Sequence, residues 1–238
     1  MNAFGLATLL IFILAFLSWR TQKLTASGAL TGALLATVLF WGGGWLLLAQ
    51  LGLFFGVGVM VSRFRRGWKA RHGLSDTEGE LRSYPNVLAN AAVASMCALA
   101  SKWFPSHQIV FQAAALASLG AALSDTCSSE LGNVWGRRFW NIRSLQADQR
   151  GRDGVISAEG TLVGLIAAFL PALLAFAFDI RAWSWLLLIA FSGFLGNLTD
   201  SLLGATFERK GKLGNHAVNF LNTLTAAVSV LLFGALVW

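Results

Sequence analysis

The stretch LSDTCSSELG, residues 123–132, closes a long apolar run with two carboxylates, Asp125 and Glu130, set among hydroxyls. A second run ends in NLTDS, residues 197–201, and so carries Asp200. Two aspartates facing each other across a cleft suit a hard cation such as Mg2+, which takes oxygen ligands and bridges to substrate phosphates. With no cation between them, like charges that close are costly. A third stretch, QRGRDGVISAEGT at residues 149–161, brings Arg150 and Arg152 into a glycine-flanked turn. That turn leads to a predicted helix N-terminus, where free N–H groups and the helix dipole favour anions. Small residues there, Gly154, Gly160 and Gly164, can equally serve close helix packing. Other chemistries lack their signatures: there is no Walker A pattern, no zinc-ligand spacing and no nucleophile elbow. His72, His107 and His216 are scattered, and only His216 falls near the other polar groups.

The elements that must position these residues are membrane helices. Hydrophobic residues make up 56% of the 238 and charged ones only 12%, with a mean hydropathy of +0.64, which excludes an ordinary soluble domain. Runs of roughly 17 to 25 apolar residues, the length that crosses a hydrocarbon core of roughly 30 Å, predict eight spans. They cover residues 2–19, 24–41, 45–62, 85–104, 109–133, 155–178, 183–207 and 217–238. The second and third are divided only by WGGGW, residues 41–45, a tight glycine hairpin. The expected fold is therefore an all-α polytopic membrane protein, one domain over residues 1–238, with basic loops at 63–84 and 134–154.

Sixteen of the eighteen Lys and Arg then fall on one face, all but Lys102 and Arg181. Basic residues accumulate in cytoplasmic loops, so both termini are expected outside the cytoplasm, in a bacterial-type inner (plasma) membrane. The first span lacks a basic leader and has Arg20 and Lys23 behind it, which reads as a retained anchor rather than a signal peptide. Cys97 and Cys127, one mid-membrane and one near the cytoplasmic end, predict no disulfide. The net charge of +7 fits contact with anionic lipid headgroups, and nothing points to nucleic acid. The 63–84 loop reads as a topology signal or a lipid-surface contact, and a homodimer stays open.

The polar residues concentrate at the cytoplasmic helix ends: Ser27 and Thr31; Asn86 and Asn90; Asp125, Ser128, Ser129 and Glu130; Asp153, Ser157, Glu159 and Thr161; Asn197, Thr199, Asp200 and Ser201; Asn215, His216, Asn219 and Asn222. Polar groups in membrane helices turn inward onto a cavity or a partner. Asn86 with Asn90, and Asn215 with Asn219 and Asn222, share a helix face. Glu130 points roughly 140° away from Asp125 on an ideal helix, so either the helix is irregular there or Glu130 meets a different neighbour. The alternative for the asparagines and serines is interhelical hydrogen-bond glue. TASGALTGALLA (25–36) echoes SAEGTLVGLIAA (157–168), and LGAALSD ending at Asp125 echoes LGNLTD ending at Asp200. The echo reads as a parallel internal repeat with Asp125 and Asp200 as symmetry mates and a site between the halves.

Six blocks, LTASGAL, NVLANA, SDTCSSELG, GRDGVISAEGT, DSLLGATFE and NHAVNFLNTL, occur in this order over nearly the whole chain. They resemble the membrane family once catalogued as a domain of unknown function, which includes animal transmembrane protein nineteen and the plant and cyanobacterial phytyl-phosphate kinases. The chain departs from the family at Ser124, where Ala is commoner, at Asn86 and Glu208, where Gln is, and at Val155, which replaces a second Gly of the phosphate turn. The resemblance implies an enzyme that moves the terminal phosphoryl group of a nucleoside triphosphate, CTP in one branch, onto phytyl or a related isoprenyl monophosphate to give the diphosphate. It implies Asp125, Glu130 and Asp200 as Mg2+ ligands, and Asp125, Asp200 and Arg152 as catalytic. Nucleotide or phosphate contacts would come from Ser27, Asn90, Ser128, Arg150, Asp153, Gly154, Ser157, Asn215 and Asn219. No general base is needed, because a phosphate acceptor with a second pKa of about 6 is already anionic. Competing readings are a CTP-dependent lipid cytidylyltransferase, which releases pyrophosphate, and an ion-coupled transporter, whose site would lie at the midplane.

Overall fold

A computed structural model describes residues 2–74, 81–178, 180 and 182–234. Arg181, part of the 63–84 loop and the last four residues of the eighth span lie outside the described residues. Helix α1 covers Ala3–Arg20, capped by Asn2, whose side chain accepts from the Gly5 N–H. Helix α2 covers Ala26–Arg63, 38 residues that would overrun a bilayer if straight. It breaks at Gly44, where φ is 60° and ψ −147°, a backbone conformation that only glycine adopts without strain. Arg82 shows that the break is a reversal: its backbone pairs with Thr25 at one end of α2 while its guanidinium lies at Gly58 near the other. The WGGGW hairpin is thus present, compressed to one non-helical residue.

The short helix α3, Arg66–Arg71, follows at the basic end, then α4 (Tyr84–Trp103), α5 (Gln108–Trp135), α6 (Ala158–Ala177), α7 (Trp183–Thr206) and α8 (Asn215–Phe233). Among the described residues six helices are long and apolar enough to cross a membrane. The α2 hairpin supplies two of the crossings, and the twenty-residue α4, more polar, packs among them, so eight legs form the bundle. One expected boundary moves. Val155–Ile156 is not the start of the sixth span but a strand, β2, paired antiparallel with β1 at Trp140–Asn141. The helix begins only after Ser157, whose hydroxyl caps it by accepting from the Gly160 N–H at 3.1 Å.

Helix α5 is the axis of the bundle, packed by α2, α4, α6, α7 and α8. Every residue from Ala113 to Ser124 is buried, and the run of Ala, Gly and Ser there lets neighbouring backbones approach closely. A Cβ on Gly132 would lie 2.8 Å from the Gly160 Cα, so α5 and α6 touch backbone to backbone beside the Ser157 cap.

Candidate functional site

The seal along α5 ends at Asp125. Asp125 and Thr126 are partly exposed and Ser129 is exposed, although five helices surround α5. The sealed stretch of α5 thus stops short of the basic end, and Asp125 is its first partly exposed residue. Asp200 on α7 stands within hydrogen-bonding reach of Asp125, and the Asn222 Nδ2 of α8 donates to Asp200 Oδ2 at 3.3 Å. Asp200 lies six residues before the end of α7 and Asn222 seven residues after the start of α8. At 1.5 Å per residue Asp200 and Asn222 sit about 10 Å, and Asp125 about 15 Å, from the basic ends of their helices.

Paired carboxylates away from bulk water repel unless a proton or a cation lies between them. The donor set fits Mg2+, which protein sites bind through one or two carboxylates and complete with water and phosphate oxygens. Among the described residues no three His, Cys, Asp or Glu side chains gather as a ready-made metal cage. Glu130 explains the shortfall. The α5 helix is regular through this turn, so Glu130 faces α2 and meets Lys69 of α3 at 2.5 Å. Lys69 is itself buried, and its ammonium also donates to the Val61 and Ser62 carbonyls at 3.1 and 2.9 Å. Glu130 is thus the counter-ion of a buried lysine, on a different side of α5 from the two aspartates.

The loop between α5 and α6 is built around Asp148. It accepts from the Gln149 N–H at 2.7 Å, from Arg209 Nη1 at 2.7 Å and from Asn141 Nδ2 at 3.5 Å. These donors, the Gln149 backbone first and Arg209 next, hold its carboxyl below the usual carboxylate range. Arg209 Nε also donates to the Asp153 carbonyl at 2.6 Å, clamping the turn to the end of α7. Gly154 completes the clamp. Its φ is 67°, and a Cβ there would run into Ser201 and Ala205, the helical turn next to Asp200. Asp153 and Glu208 consequently come near enough to Asp200 to interact with it electrostatically.

The remaining sequence-predicted residues divide. Arg152 is 58% exposed and lies 3.6 Å from Asp148. Arg150 is committed elsewhere: it lies 4.7 Å from the Phe139 ring centroid and 5.4 Å from that of Trp68, and its Nη2 donates to the Gly136 carbonyl at 2.9 Å. Ser128 is interhelical glue, donating to Asn197 Oδ1 at 3.1 Å, while Asn197 Nδ2 donates to Ser124, which in turn donates to the Gly164 carbonyl. Asn90 Nδ2 bonds the Asn86 carbonyl and Asn219 Nδ2 bonds Asn215 Oδ1, each within its own helix. Ser27 bonds Thr25, the cap of α2.

Sequence reasoning placed Asn222 in the polar layer without giving it a role, and its spacing of seven from Asn215 was the available signal. Arg209 and Asp148 were missed altogether. They are 61 residues apart, and no periodicity links a loop acid to the residue after a helix.

The model of the family described as integral membrane protein DUF92 matches residues 9–227. An uncharacterized membrane protein of Methanocaldococcus jannaschii is 33% identical over 222 residues, 92% of this chain and 90% of its own. One of Synechocystis is 30% identical over 92% of this chain and 86% of its own. The chloroplastic protein VTE6 of Arabidopsis thaliana is 28% identical over 94% of this chain and 69% of its own. No solved structure matches significantly.

Proposed function

The chain belongs to the DUF92 family of integral membrane proteins, and from that premise we propose that it is a nucleotide-dependent prenyl-phosphate kinase. The reading rests on the pairing of Asp125 with Asp200, about 10 to 15 Å from the basic ends of their helices. A lipid monophosphate with its tail among the helices and its headgroup at the interface reaches that depth. A transporter site would lie nearer the midplane. The resemblance of six sequence blocks to the phytyl-phosphate kinases, and a chloroplastic plant protein among the relatives, support the substrate class.

In the proposed reaction an oxygen of the lipid monophosphate attacks the terminal phosphorus of CTP. The bond from that phosphorus to the bridging oxygen breaks, and CDP leaves with the electron pair. Phosphoryl transfer is catalysed mostly by positioning and by neutralising charge, so the absence of a catalytic histidine is consistent with it. Asp125 and Asp200 would hold Mg2+, which when bound offsets the charge of the nucleotide phosphates. Asn222 orients the Asp200 carboxylate through its amide, as groups behind a metal ligand commonly do. Arg152, exposed on the loop, would be the cation that meets nucleotide phosphates, while Arg150 stabilises the loop that carries it. By the positive-inside rule this end would face the cytoplasm.

The test is the purified protein in nanodiscs with phytyl, geranylgeranyl or farnesyl monophosphate, Mg2+ and γ-labelled CTP or ATP, beside Asp125→Asn and Asp200→Asn. Label should appear in the prenyl diphosphate and fall about 100- to 1000-fold in both variants, the scale of losing one charge-stabilising group in an active site. Release of pyrophosphate instead of CDP would move the protein to the cytidylyltransferases. Full activity in both variants would dismiss the site.

A further inference from the structure

Two hydroxyls in the middle of the bundle decline the hydrogen bond that serines in membrane helices often make. Ser95 and Ser229 each donate to the carbonyl four residues back, at 2.9 and 2.8 Å. Ser118 of α5 and Ser192 of α7 are fully buried, and among the described residues neither hydroxyl has a hydrogen-bond partner. The amide of Asn222 on α8 is half satisfied: its nitrogen donates to Asp200, while its Oδ1 is buried and unpartnered among the described residues. Leaving a buried polar group unpaired is costly, and three such oxygens close to one another require a partner.

The three oxygens lie along the seam where α5, α7 and α8 meet. A Cβ on Gly196 of α7 would lie 2.6 Å from the Ala121 Cβ of α5 and 3.0 Å from Asn222 Oδ1, so all three helices touch there. Ser192 precedes Gly196 by four residues and shares its face of α7, one turn farther from the basic end. The next residue, Gly193, fixes the level: a Cβ on it would lie 3.6 Å from the Ala117 carbonyl oxygen and 3.5 Å from the Ala121 nitrogen, which sets Ser192 beside the turn of α5 that carries Ser118. Ser118 stands seven residues before Asp125 on the same face, and Ser192 eight before Asp200, so the hydroxyls lie about 10 to 12 Å deeper than the aspartates. At the far end the seam closes, since a Cβ on Gly234 would meet Trp185 of α7 and Val110 of α5, each at 3.3 Å. None of the three oxygens carries a charge. A hydroxyl both donates and accepts and an amide oxygen accepts, so water, which also does both and settles where it finds two to four polar partners, matches the set.

We infer that Ser118, Ser192 and Asn222 Oδ1 bind ordered internal water, which solvates the inner side of the aspartate pair from a seam closed at its Trp185 end. The inference is independent of the kinase reading, because carboxylates away from bulk water need solvation whatever ligand they hold. The test is X-ray radiolytic labelling of the full chain in phosphatidylcholine nanodiscs, read by mass spectrometry, since radiolysis of a bound water oxidises the side chains beside it. Ile189, fully buried and three residues before Ser192, is the reporter, and Ile11, buried in the separate cluster between α1 and α2, is the dry comparison. Expected is oxidation of Ile189 but not of Ile11 in the wild type, and its loss when Ser118→Ala and Ser192→Ala are combined. Each single substitution should shift the unfolding equilibrium about fivefold toward the unfolded state, the weight of one hydrogen bond. A dry seam has the opposite sign, because alanine then removes an unpaired group. Labelling of the wild type needs no variant, so the inference is tested even where a substitution prevents folding. An unlabelled Ile189, unchanged or raised stability in both single variants, or labelling suppressed by sodium in place of choline would overturn it, the last by assigning the oxygens to a cation.

Discussion

Glu130 offers a sharp test, because a metal ligand and a lysine counter-ion fail differently. Lys69 and Glu130 side chains are 5% and 19% exposed, and among the described residues the lysine has two backbone carbonyls besides the carboxylate. Glu130→Gln therefore strands a buried ammonium with its charge uncompensated. Removing one partner of a buried pair costs about 3–5 kcal/mol, and the partial exposure of Glu130 brings the expectation to about 2–4 kcal/mol. Replacing both, as Lys69→Met with Glu130→Gln, removes the stranded charge and should recover more than half of that loss, a coupling of about 1–3 kcal/mol. The assay is reversible unfolding in bicelles by titration with a denaturing detergent, for the wild type, the two single variants and the double. Phosphoryl transfer per folded molecule should stay within a few-fold of wild type in the double variant. A stable Glu130→Gln protein that has lost its Mg2+ dependence would refute the reasoning and return Glu130 to the metal site.

Other outcomes follow from the same contacts. Asn222→Ala should weaken metal binding about 10- to 100-fold, the usual effect of removing a group that orients a metal ligand, and Mn2+ binding followed by electron paramagnetic resonance reads this without turnover. Gly154→Ala should destabilise the α5–α6 loop by about 1–3 kcal/mol, since its positive φ and its contact with α7 both exclude a side chain, and faster limited proteolysis within residues 136–157 would register it. Asp148, held below its ordinary 3.8 by the Gln149 N–H and Arg209, contributes stability that is complete above that value and is lost as pH falls through its lower native value. Asp148→Asn should flatten this acid limb in thermal unfolding measured between pH 2 and 5, and an unchanged limb would dismiss the clamp.

Much of the architecture is written in composition and spacing. Apolar runs must cross the bilayer as helices because lipid offers no partners for backbone groups, so the eight legs could be counted, and the asymmetry of Lys and Arg fixed their alternation. The hairpin at WGGGW was legible because glycine alone accepts the conformation found at Gly44. The caps of α2 and α6 were not singled out: Thr25 and Ser157 each accept from the N–H of a glycine three residues on, and the sixth helix starts three residues later than the apolar run suggested. The pairing of Asp125 with Asp200 was anticipated from the echo of two segments, and the 140° offset of Glu130 had already left a different neighbour open for it.

What lay beyond the sequence is the choice among partners that are equally polar and equally near the basic end. Arg150 and Arg152 are two residues apart, yet one is stacked between aromatic rings and the other faces outward. Ser128 and Asn197 serve as glue, while Asn222, of the same residue type, holds Asp200. Helical periodicity tells which face of a helix a residue occupies, but which helix lies opposite that face depends on how eight legs pack around α5. That packing is decided by small-residue contacts, such as Gly132 against Gly160 and Gly154 against Ala205, summed over the whole bundle. The inventory of charges and hydroxyls was therefore set by the chain, and their division into paired aspartates, counter-ions and glue was set by tertiary contacts between residues tens of positions apart.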